Sequence, residues 1–273
     1  MLTPVEICVC VKRVPMVGGA IAVTPDGQDV DVTMSGFTVS PHEECAVEEA
    51  VQITERLGGT VTVLTLGPPE AAGQLRDMLA LGAHRGVLLQ TDGAEWGPVA
   101  TAAAIAEVVR NGGYELLLFG NEAADTGGYQ VPVRVSHLLG LQCVTGIKRL
   151  DFAGGSGGSS PRANTLPVGE DAPERILAGR EYRGAEEVFD VALPAVVSVK
   201  EGINLPRYPS LPGRLRAKRA VIETIEPAFA ADRLRKERLR VPASSGKRAQ
   251  VLGAGSDAVP ALVDLLDELG ILS

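Results

Sequence analysis

The sequence predicts an α/β fold with a doubly wound, mostly parallel sheet. Short apolar runs rich in β-branched residues recur along the first half of the chain and are typical of buried parallel strands. Segments with helical periodicity lie between them, and a glycine closes most of these segments. This alternation favours parallel strands with helices on both faces of the sheet. The apolar runs are VEICVCV (5–11), TVTVLTL (60–66), GVLLQ (86–90) and ELLLFG (115–120).

The first predicted helix has the clearest start signal, in SPHEECAVEEAV. Ser40 is a suitable N-cap, Pro41 suits the first helical position, and Glu43 can complete a capping box. Gly58 and Gly59 then end the helix. Periodicity predicts three further helices, each closed by a glycine soon afterwards, at 70–81, 98–110 and 129–139.

The second half of the chain departs from this alternation. CVTGIKRL (143–150) is expected to form one more strand, RILAGREYRG and EEVFDVAL to pair as antiparallel strands, and PAVVSVKEG (194–202) to be the last core strand. We expect one α/β domain over 1–225, with a mobile Gly/Ser-rich loop at 153–173. Residues 226–273 are expected to form a C-terminal docking arm with an amphipathic helix. The apolar face of that helix carries Val259, Leu262, Val263, Leu266 and Leu269.

Composition and charge narrow the function. The 273 residues carry a formal net charge of −8, so a general nucleic-acid binder is not expected. No apolar run is long enough to cross a membrane, and the N-terminus lacks the features of a signal peptide, so membrane insertion is not expected either. The four cysteines form no CxxC pair, which favours buried thiols in a reducing compartment and a cytoplasmic protein.

The candidate binding loops lie where the predicted strands end. In an open α/β sheet, ligands bind at the carboxyl ends of the strands, so the loops at that edge form the expected ligand-binding part of the domain. These loops are 10–15, 39–42, 66–68 and 120–130.

The fourth of these loops, GNEAADTGGYQV, is the most informative. Gly120 allows the chain to turn, and Asp125 or Thr126 can cap the following helix. Gly127 and Gly128 leave backbone N–H groups exposed at the positive end of that helix, which suits a phosphate. The loop matches neither the P-loop nor the GxGxxG fingerprint, and a glycine-rich helix start without a ligand is the alternative.

No conventional active site is predicted. His42, His84 and His137 are far apart in the sequence, and each favours a structural role. Hydrolase, metalloprotease and Cys/His motifs are absent from the sequence, and no metal site is expected. The pattern indicates a binding scaffold without side-chain catalysis of its own.

A proline-stiffened basic segment follows the last predicted core strand. INLPRYPSLPGRLRAKR (203–219) has three prolines and five cationic side chains. Leu211 lies between Ser210 and Pro212, where neither a regular helix nor a central strand is expected. An apolar side chain on such a segment favours a partner-binding surface, with a solvated basic face as the alternative.

In their order along the chain, these motifs resemble one family. VCVKRVP, SPHEECAVEEAV, VTVLTLGPPEA, LALGAHRGVLL, LLLFGNEAADTGGYQVP and VTGIKRL are followed by GREYRGAEEVFDVALPAVVSV and INLPRYPSLPGRLRAKRAVIE. Together they resemble the β subunit of electron-transfer flavoproteins, the group that includes the FixA proteins, from Ile7 to Ile225. The resemblance implies an adenine-nucleotide α-hydrolase-like sheet.

The resemblance also implies a heterodimeric electron carrier rather than an enzyme. FAD would be held mainly by an α subunit and shared with this chain, AMP would bind in the β core, and the C-terminal arm would contact the α subunit. Electrons would come from flavin dehydrogenases such as acyl-CoA dehydrogenases and pass to a membrane quinone oxidoreductase or another acceptor. Two alternatives stay open. One is an electron-bifurcating member that oxidises NADH at a second FAD in β, and the other is a stand-alone adenine-nucleotide-binding regulator.

Site residues follow from the same resemblance. Leu211 matches the family's leucine that anchors in a partner dehydrogenase, with Tyr208, Pro212 and Arg214 beside it. Ser40 stands where the family usually has Asn, and this departure, with Asn121 and Glu122, leaves AMP and a second FAD both open. Nucleotide contacts are implied at Cys10, Ser40, Pro41, His42, Glu43, Leu66, Gly120, Asn121, Glu122, Ala123, Ala124, Asp125, Thr126, Gly127, Gly128, Tyr129, Gln130 and Val131.

Overall fold

The computed structural model describes residues 4–16, 18, 21–94, 96–152, 175–229, 236–242 and 251–272. Its strands are β1 (Val5–Cys10), β2 (Arg13–Pro15), β3 (Phe37–Val39), β4 (Gly59–Gly67), β5 (Arg85–Gln90), β6 (Leu116–Gly120), β7 (Gln142–Ile147), β8 (Arg149–Phe152), β9 (Arg175–Tyr182), β10 (Ala185–Ala192), β11 (Ala195–Val199) and β12 (Ile222–Ile225). Its α-helices are α1 (Pro41–Leu57), α2 (Ala72–Leu81), α3 (Pro98–Val109), α4 (Val131–Leu139), α5 (Leu211–Arg219) and α6 (Val259–Glu268).

The core of the fold is a seven-stranded sheet with the strand order β12-β5-β4-β1-β6-β11-β7. Every pair of neighbouring strands in this sheet is parallel. Successive side chains of the central strand point to opposite faces, so Ile7 and Val9 pack with α1 and α2, whereas Cys8 and Cys10 pack with α3 and α4. The predicted doubly wound α/β fold is therefore confirmed.

The predicted strand at 143–150 is in fact two strands. β7 lies in the central sheet, whereas β8 lies in a three-stranded antiparallel sheet with β9 and β10. Gly146 adopts a φ of +73°, and the pairing of β7 with β11 shifts between Val197 and Val199, so the chain leaves the central sheet at this point. The predicted antiparallel pairing of the next two segments is confirmed by β9 and β10.

The central sheet and the helices depart from the predicted pattern at four other places. β12 adds an edge strand beside β5, so β11 is not the last core strand. Leu211 is the first residue of α5 rather than part of an irregular loop, because a proline in the first turn of a helix costs no hydrogen bond. Two helices begin later than predicted: α2 at Ala72, after a 3-10 turn at Pro69–Ala71, and α4 at Val131 rather than Tyr129.

The chain separates into two compact units. The larger contains both sheets described above, and the smaller joins Ile21–Asp31 to Glu237–Ser273. Within the smaller unit, the backbone N–H of Leu239 donates to the carbonyl of Gly27 at 2.8 Å. The division expected after Ile225 stays a prediction, and the Gly/Ser-rich loop at 153–173 lies outside the described residues.

Candidate functional site

The candidate ligand site lies at the carboxyl ends of β1 and β6. From β1 the chain moves to β4 and β5 on one side of the sheet, and α3 then carries it across to β6 on the other side. The strand order therefore reverses between β1 and β6, which opens a crevice where ligands bind in sheets of this type. The loops after β1 and β6 and the start of α1 surround this crevice, and we call them the nucleotide cradle.

Ser40 joins two loops of the nucleotide cradle. It is the N-cap of α1, and its buried hydroxyl accepts a hydrogen bond from the backbone N–H of Ala124 at 3.0 Å. Its own backbone N–H donates to Oε2 of Glu43 at 3.2 Å, as the predicted capping box requires. Ser40 thus fixes the start of α1 against the loop that follows β6.

Lys12 and Asp125 join the loops after β1 and β6. Nζ of Lys12 lies 2.7 Å from one carboxylate oxygen of Asp125 and 2.8 Å from the other. This pair partly neutralises the acid beside the predicted phosphate position. Because α4 begins at Val131 and Gln130 occupies its N-cap position, neither Asp125 nor Thr126 caps the helix, and this part of the prediction was wrong.

Glu43 is a buried carboxyl group at the floor of the nucleotide cradle. Burial raises its pKa to about 8, although the backbone N–H groups of Lys12 and Ser40 act in the opposite direction. Gly120 lies directly against it, since a Cβ at this position would come within 2.5 Å of Cγ of Glu43. The glycine at the end of β6 is therefore required for the close approach of α1.

Gly127 and Gly128 are the open part of the nucleotide cradle. No heavy atom of another part of the described chain lies within 4 Å of a Cβ built at either position. Gly127 has a φ of +53°, and the exposed Tyr129 beside it has the unusual φ of +55° for a residue with a side chain. The backbone N–H of Gly127 donates to the carbonyl of Ala123 at 2.8 Å, so its predicted exposure as a free donor was wrong. The open backbone at Gly128 can still be approached by a phosphate.

Asn121 and Glu122 have different environments, although they are neighbours in the sequence. Asn121 is buried, and its Oδ1 accepts a hydrogen bond from the hydroxyl of Ser198 at 3.0 Å, which ties β6 to β11. Glu122 is half-buried, and its Oε1 lies 4.0 Å from Nε2 of His42. Nδ1 of His42 is buried without a hydrogen-bond partner among the described residues. His42 and Glu122 also line a cavity of about 320 Å³ with Tyr129, Gly146, Lys148 and Lys200.

Cys10 and Leu66 belong to strands that end beside the nucleotide cradle, not to its loops. Cys10 ends β1 with its side chain in the core, where burial and then its neighbour Cys8 raise the pKa of its thiol. The thiol is therefore neutral at ordinary pH. Leu66 is half-buried near the end of β4. The structure brings both to the carboxyl edge, and a contact of either with a nucleotide stays a prediction.

A second surface lies along α1 and at the amino edge of the sheet. It is formed by residues 203–221, which we call the docking segment. Asn204 donates to the carbonyl of Cys45 at 3.0 Å, and Gly213 packs so closely that a Cβ there would come within 2.6 Å of the carbonyl of Ala80. Between these two attachments, Tyr208 is 96% exposed and Leu211 is 72% exposed. The segment is anchored on two helices and presents apolar side chains to solvent.

The parts of the chain that the structure describes contain neither a metal centre nor a membrane-spanning helix. There, no group of three or more His, Cys, Asp or Glu is arranged to hold a metal ion. None of the helices described has the length and apolar character needed to span a membrane.

Comparison with known sequences matches most of the chain. The family profile described as "Electron transfer flavoprotein domain" matches residues 32–230. A Bacillus subtilis protein named electron transfer flavoprotein subunit beta is 34% identical over 192 residues, which make up 70% of this chain and 67% of the relative. Proteins of the same name from Syntrophomonas wolfei and Bradyrhizobium diazoefficiens are 32% identical over 231 residues and 28% identical over 272 residues. These matches cover 84% and 98% of this chain, and 83% and 100% of the respective relatives.

Proposed function

The chain belongs to the electron transfer flavoprotein family, with relatives named subunit beta, and from this premise we propose that it is one half of a heterodimeric electron carrier. It pairs with an α subunit in the cytoplasm and accepts electrons from flavin dehydrogenases such as acyl-CoA dehydrogenases. It passes them to a membrane quinone oxidoreductase or another acceptor. FAD held mainly by the α subunit supplies the electron-carrying chemistry, and AMP in the nucleotide cradle has a structural role.

The observation that carries the nucleotide assignment is the way the loops after β1 and β6 and the start of α1 are tied around one crevice. Ser40 and Lys12 hold the loop after β6 from two sides, through Ala124 and Asp125. Gly128 of that loop leaves the backbone open just before α4, where a phosphate is favoured. One glycine-lined helix start suits the single phosphate of AMP better than the diphosphate of a second FAD.

The docking segment supports the role in electron delivery. Leu211 and Tyr208 are exposed on a well-anchored segment whose charged side chains are all cationic. We assign Leu211 as the anchor in a dehydrogenase pocket, with Tyr208, Pro212 and Arg214 around it. Burial of one leucine is worth roughly 1.5–3 kcal/mol, which suits a transient contact. The cationic side chains favour a partner with an acidic surface.

The C-terminal arm has a surface that suits the α subunit. On α6, Val259, Leu262 and Val263 are exposed, as are Leu269 and Ile271 just beyond the helix. An amphipathic helix with an exposed apolar face is typical of a segment that packs against a partner. We therefore assign the arm to the α-subunit interface.

The test is to isolate the chain with its α subunit and identify the bound molecules. We expect a yellow one-to-one complex with one FAD, and AMP released on denaturation and identified by mass spectrometry. Two FAD per complex together with reduction by NADH would replace this proposal with the electron-bifurcating alternative. A flavin-free chain that purifies without an α subunit and binds an adenine nucleotide would instead identify a stand-alone regulator.

A further inference from the structure

We propose that Arg207 is a positioning residue that holds the docking segment in the shape a redox partner recognises. This inference rests on the proposed function, since it presupposes that Leu211 docks on a partner. Arg207 lies between the attachment at Asn204 and the exposed side chains of Tyr208 and Leu211. Its role is therefore to act through its neighbours rather than to touch the partner itself.

The guanidinium group of Arg207 binds two carboxylates of α1, and we call this set of contacts the grip of Arg207. Nε and Nη2 lie 2.9 and 3.0 Å from the oxygens of Glu48, and Nη1 and Nη2 lie 2.7 and 3.0 Å from those of Glu55. The backbone N–H of Arg207 also donates to Glu48, at 3.2 Å. The side chain of Glu48 is only 4% exposed, so this end of the grip is shielded from water. Because a planar guanidinium binds both carboxylates, these contacts fix the orientation of the Arg207 side chain as well as its position.

Arg207 differs from the other cations of the docking segment. Among the described residues, no carboxylate lies within ion-pair distance of Arg214, Arg216, Lys218 or Arg219. Arg216 donates to the carbonyl of Leu79 at 3.1 Å, which helps to hold α5 on the end of α2. Arg214 lies near enough to Asp77 to act against the burial that raises the pKa of that carboxyl group. The charge of Arg207 is thus paired within the chain, whereas the exposed Lys218 and Arg219 can face an acidic partner.

The position of the grip explains its effect on docking. Arg207 fixes the segment immediately before Tyr208, and the hydroxyl of Ser210 accepts the N–H of Gly213 at 3.1 Å to start α5. The exposed residues therefore lie between two fixed points. A segment ordered before it meets its partner loses less conformational entropy on binding. Without the grip, Leu211 would still be present but would sample more orientations.

The test uses the complex with its α subunit and an acyl-CoA dehydrogenase of the source organism, reduced by its acyl-CoA. We expect Arg207→Met to raise the KM for this complex about tenfold, with kcat and flavin content unchanged. Arg207→Lys keeps the charge but not the fork, and should give an intermediate KM. Arg175→Met is the control, because Arg175 also pairs with a carboxylate, at 2.7 Å to Asp190, but lies outside the docking segment and should leave the KM unchanged.

Combination with Leu211→Ala separates positioning from a general structural role. If Arg207 acts through Leu211, Arg207→Met should add little to the KM of Leu211→Ala, whereas independent effects would multiply. Multiplying effects, or an unchanged KM in Arg207→Met, would overturn the inference. If Leu211→Ala itself leaves the KM unchanged, the docking part of the proposed function fails instead, so the two failures are distinguishable.

Discussion

The nucleotide cradle and the docking segment are both attached to α1, but they use it in different ways. The cradle is attached at its N-terminus through Ser40 and Glu43, which are buried and bond to backbone groups. The docking segment is attached further along the helix, through the long side chain of Arg207 on Glu48 and Glu55. The first arrangement leaves bare backbone facing solvent, and the second leaves apolar side chains facing solvent.

Because of this difference, the two regions suit different kinds of ligand. Exposed N–H groups at a helix start attract a small anion, whereas exposed apolar and cationic side chains attract a protein surface. The carboxyl groups of the two regions also differ in the direction in which their pKa values are shifted. Burial raises the pKa of Glu43. At Glu48, burial also acts to raise the pKa, but hydrogen bonds from Arg207 and Gln52 together outweigh it and lower the pKa, and separate hydrogen bonds from Arg207 lower the pKa of Glu55. The contacts of Arg207 should therefore weaken in acid, whereas the contribution of Glu43 is lost as the pH rises. Glu49, which accepts a hydrogen bond from Asn204 at 2.9 Å, resembles Glu43, because burial raises its pKa.

The largest expected effect is that of pH on the nucleotide cradle. The folded chain holds a proton on Glu43 up to about pH 8, whereas an unfolded glutamate releases it near pH 4. The free energy of unfolding should therefore fall by up to about 4 kcal/mol between about pH 5 and pH 8 because of this group. Its contribution is complete below the unfolded pKa and lost above the folded pKa. Urea unfolding at a series of pH values measures it.

Glu43→Gln is the control for this prediction. The amide does not titrate, so the difference between wild type and variant isolates Glu43 from the other groups that change charge. We expect the variant to lose stability less steeply as the pH rises. Parallel curves for the two proteins would mean that Glu43 is ionised in the folded chain throughout this range.

The next effect is steric and also belongs to the nucleotide cradle. Gly120→Ala places a methyl group 2.5 Å from Cγ of Glu43, so α1 must shift, and we expect a loss of about 1–3 kcal/mol in the free energy of unfolding. The methyl group of Gly128→Ala meets no atom from elsewhere in the described chain within 4 Å, so the variant should keep its stability while AMP binding, measured by calorimetry, weakens. Equal stability losses in both variants would show that Gly128 is packed rather than open.

The sheet could be predicted from the sequence because its strands are buried on both faces. The run from Ile7 to Cys10, for example, is apolar throughout, as expected of a strand that is covered by helices on both sides. β12 was missed because it is a short edge strand with exposed Glu223 and Thr224, so its pattern resembles that of a loop. The start of α5 at Leu211 was missed because three nearby prolines suggested irregular structure.

Much less of the candidate site could be predicted from the spacing of residues along the sequence. The sheet rule located the loops, but the pair of Lys12 with Asp125 joins residues 113 positions apart, and no local pattern indicates it. The grip of Arg207 on Glu48 and Glu55 spans more than 150 positions in the same way. One signal was present, since Glu48 and Glu55 are two turns apart and therefore share a face of α1. Which cation they bind depends on the path of the chain after β11.

A smaller pair of effects compares the two N-cap serines. Ser40→Ala removes the acceptor of the Ala124 N–H, and Ser210→Ala removes the acceptor of the Gly213 N–H. Each change should cost about 1 kcal/mol of unfolding free energy. Their functional effects should differ, with AMP affinity reduced in the first variant and the KM for the dehydrogenase raised in the second. Loss of both functions in either variant would mean that the two regions are coupled through α1.

The smallest expected effect is that of the outer half of the Arg207 grip. The side chain of Glu55 is 55% exposed, and water screens such an ion pair, so Glu55→Gln should cost only about 0.2–1 kcal/mol at neutral pH. Because the pKa of Glu55 is lowered, this contribution is present above its unfolded pKa of about 4 and disappears as the pH falls through the folded value. Urea unfolding of wild type and Glu55→Gln at about pH 7 and about pH 3 measures the size of this contribution and its loss in acid. Added salt should reduce the difference at neutral pH, since the pair faces solvent. A difference that persists in acid would mean that Glu55 stabilises the segment by packing rather than by charge.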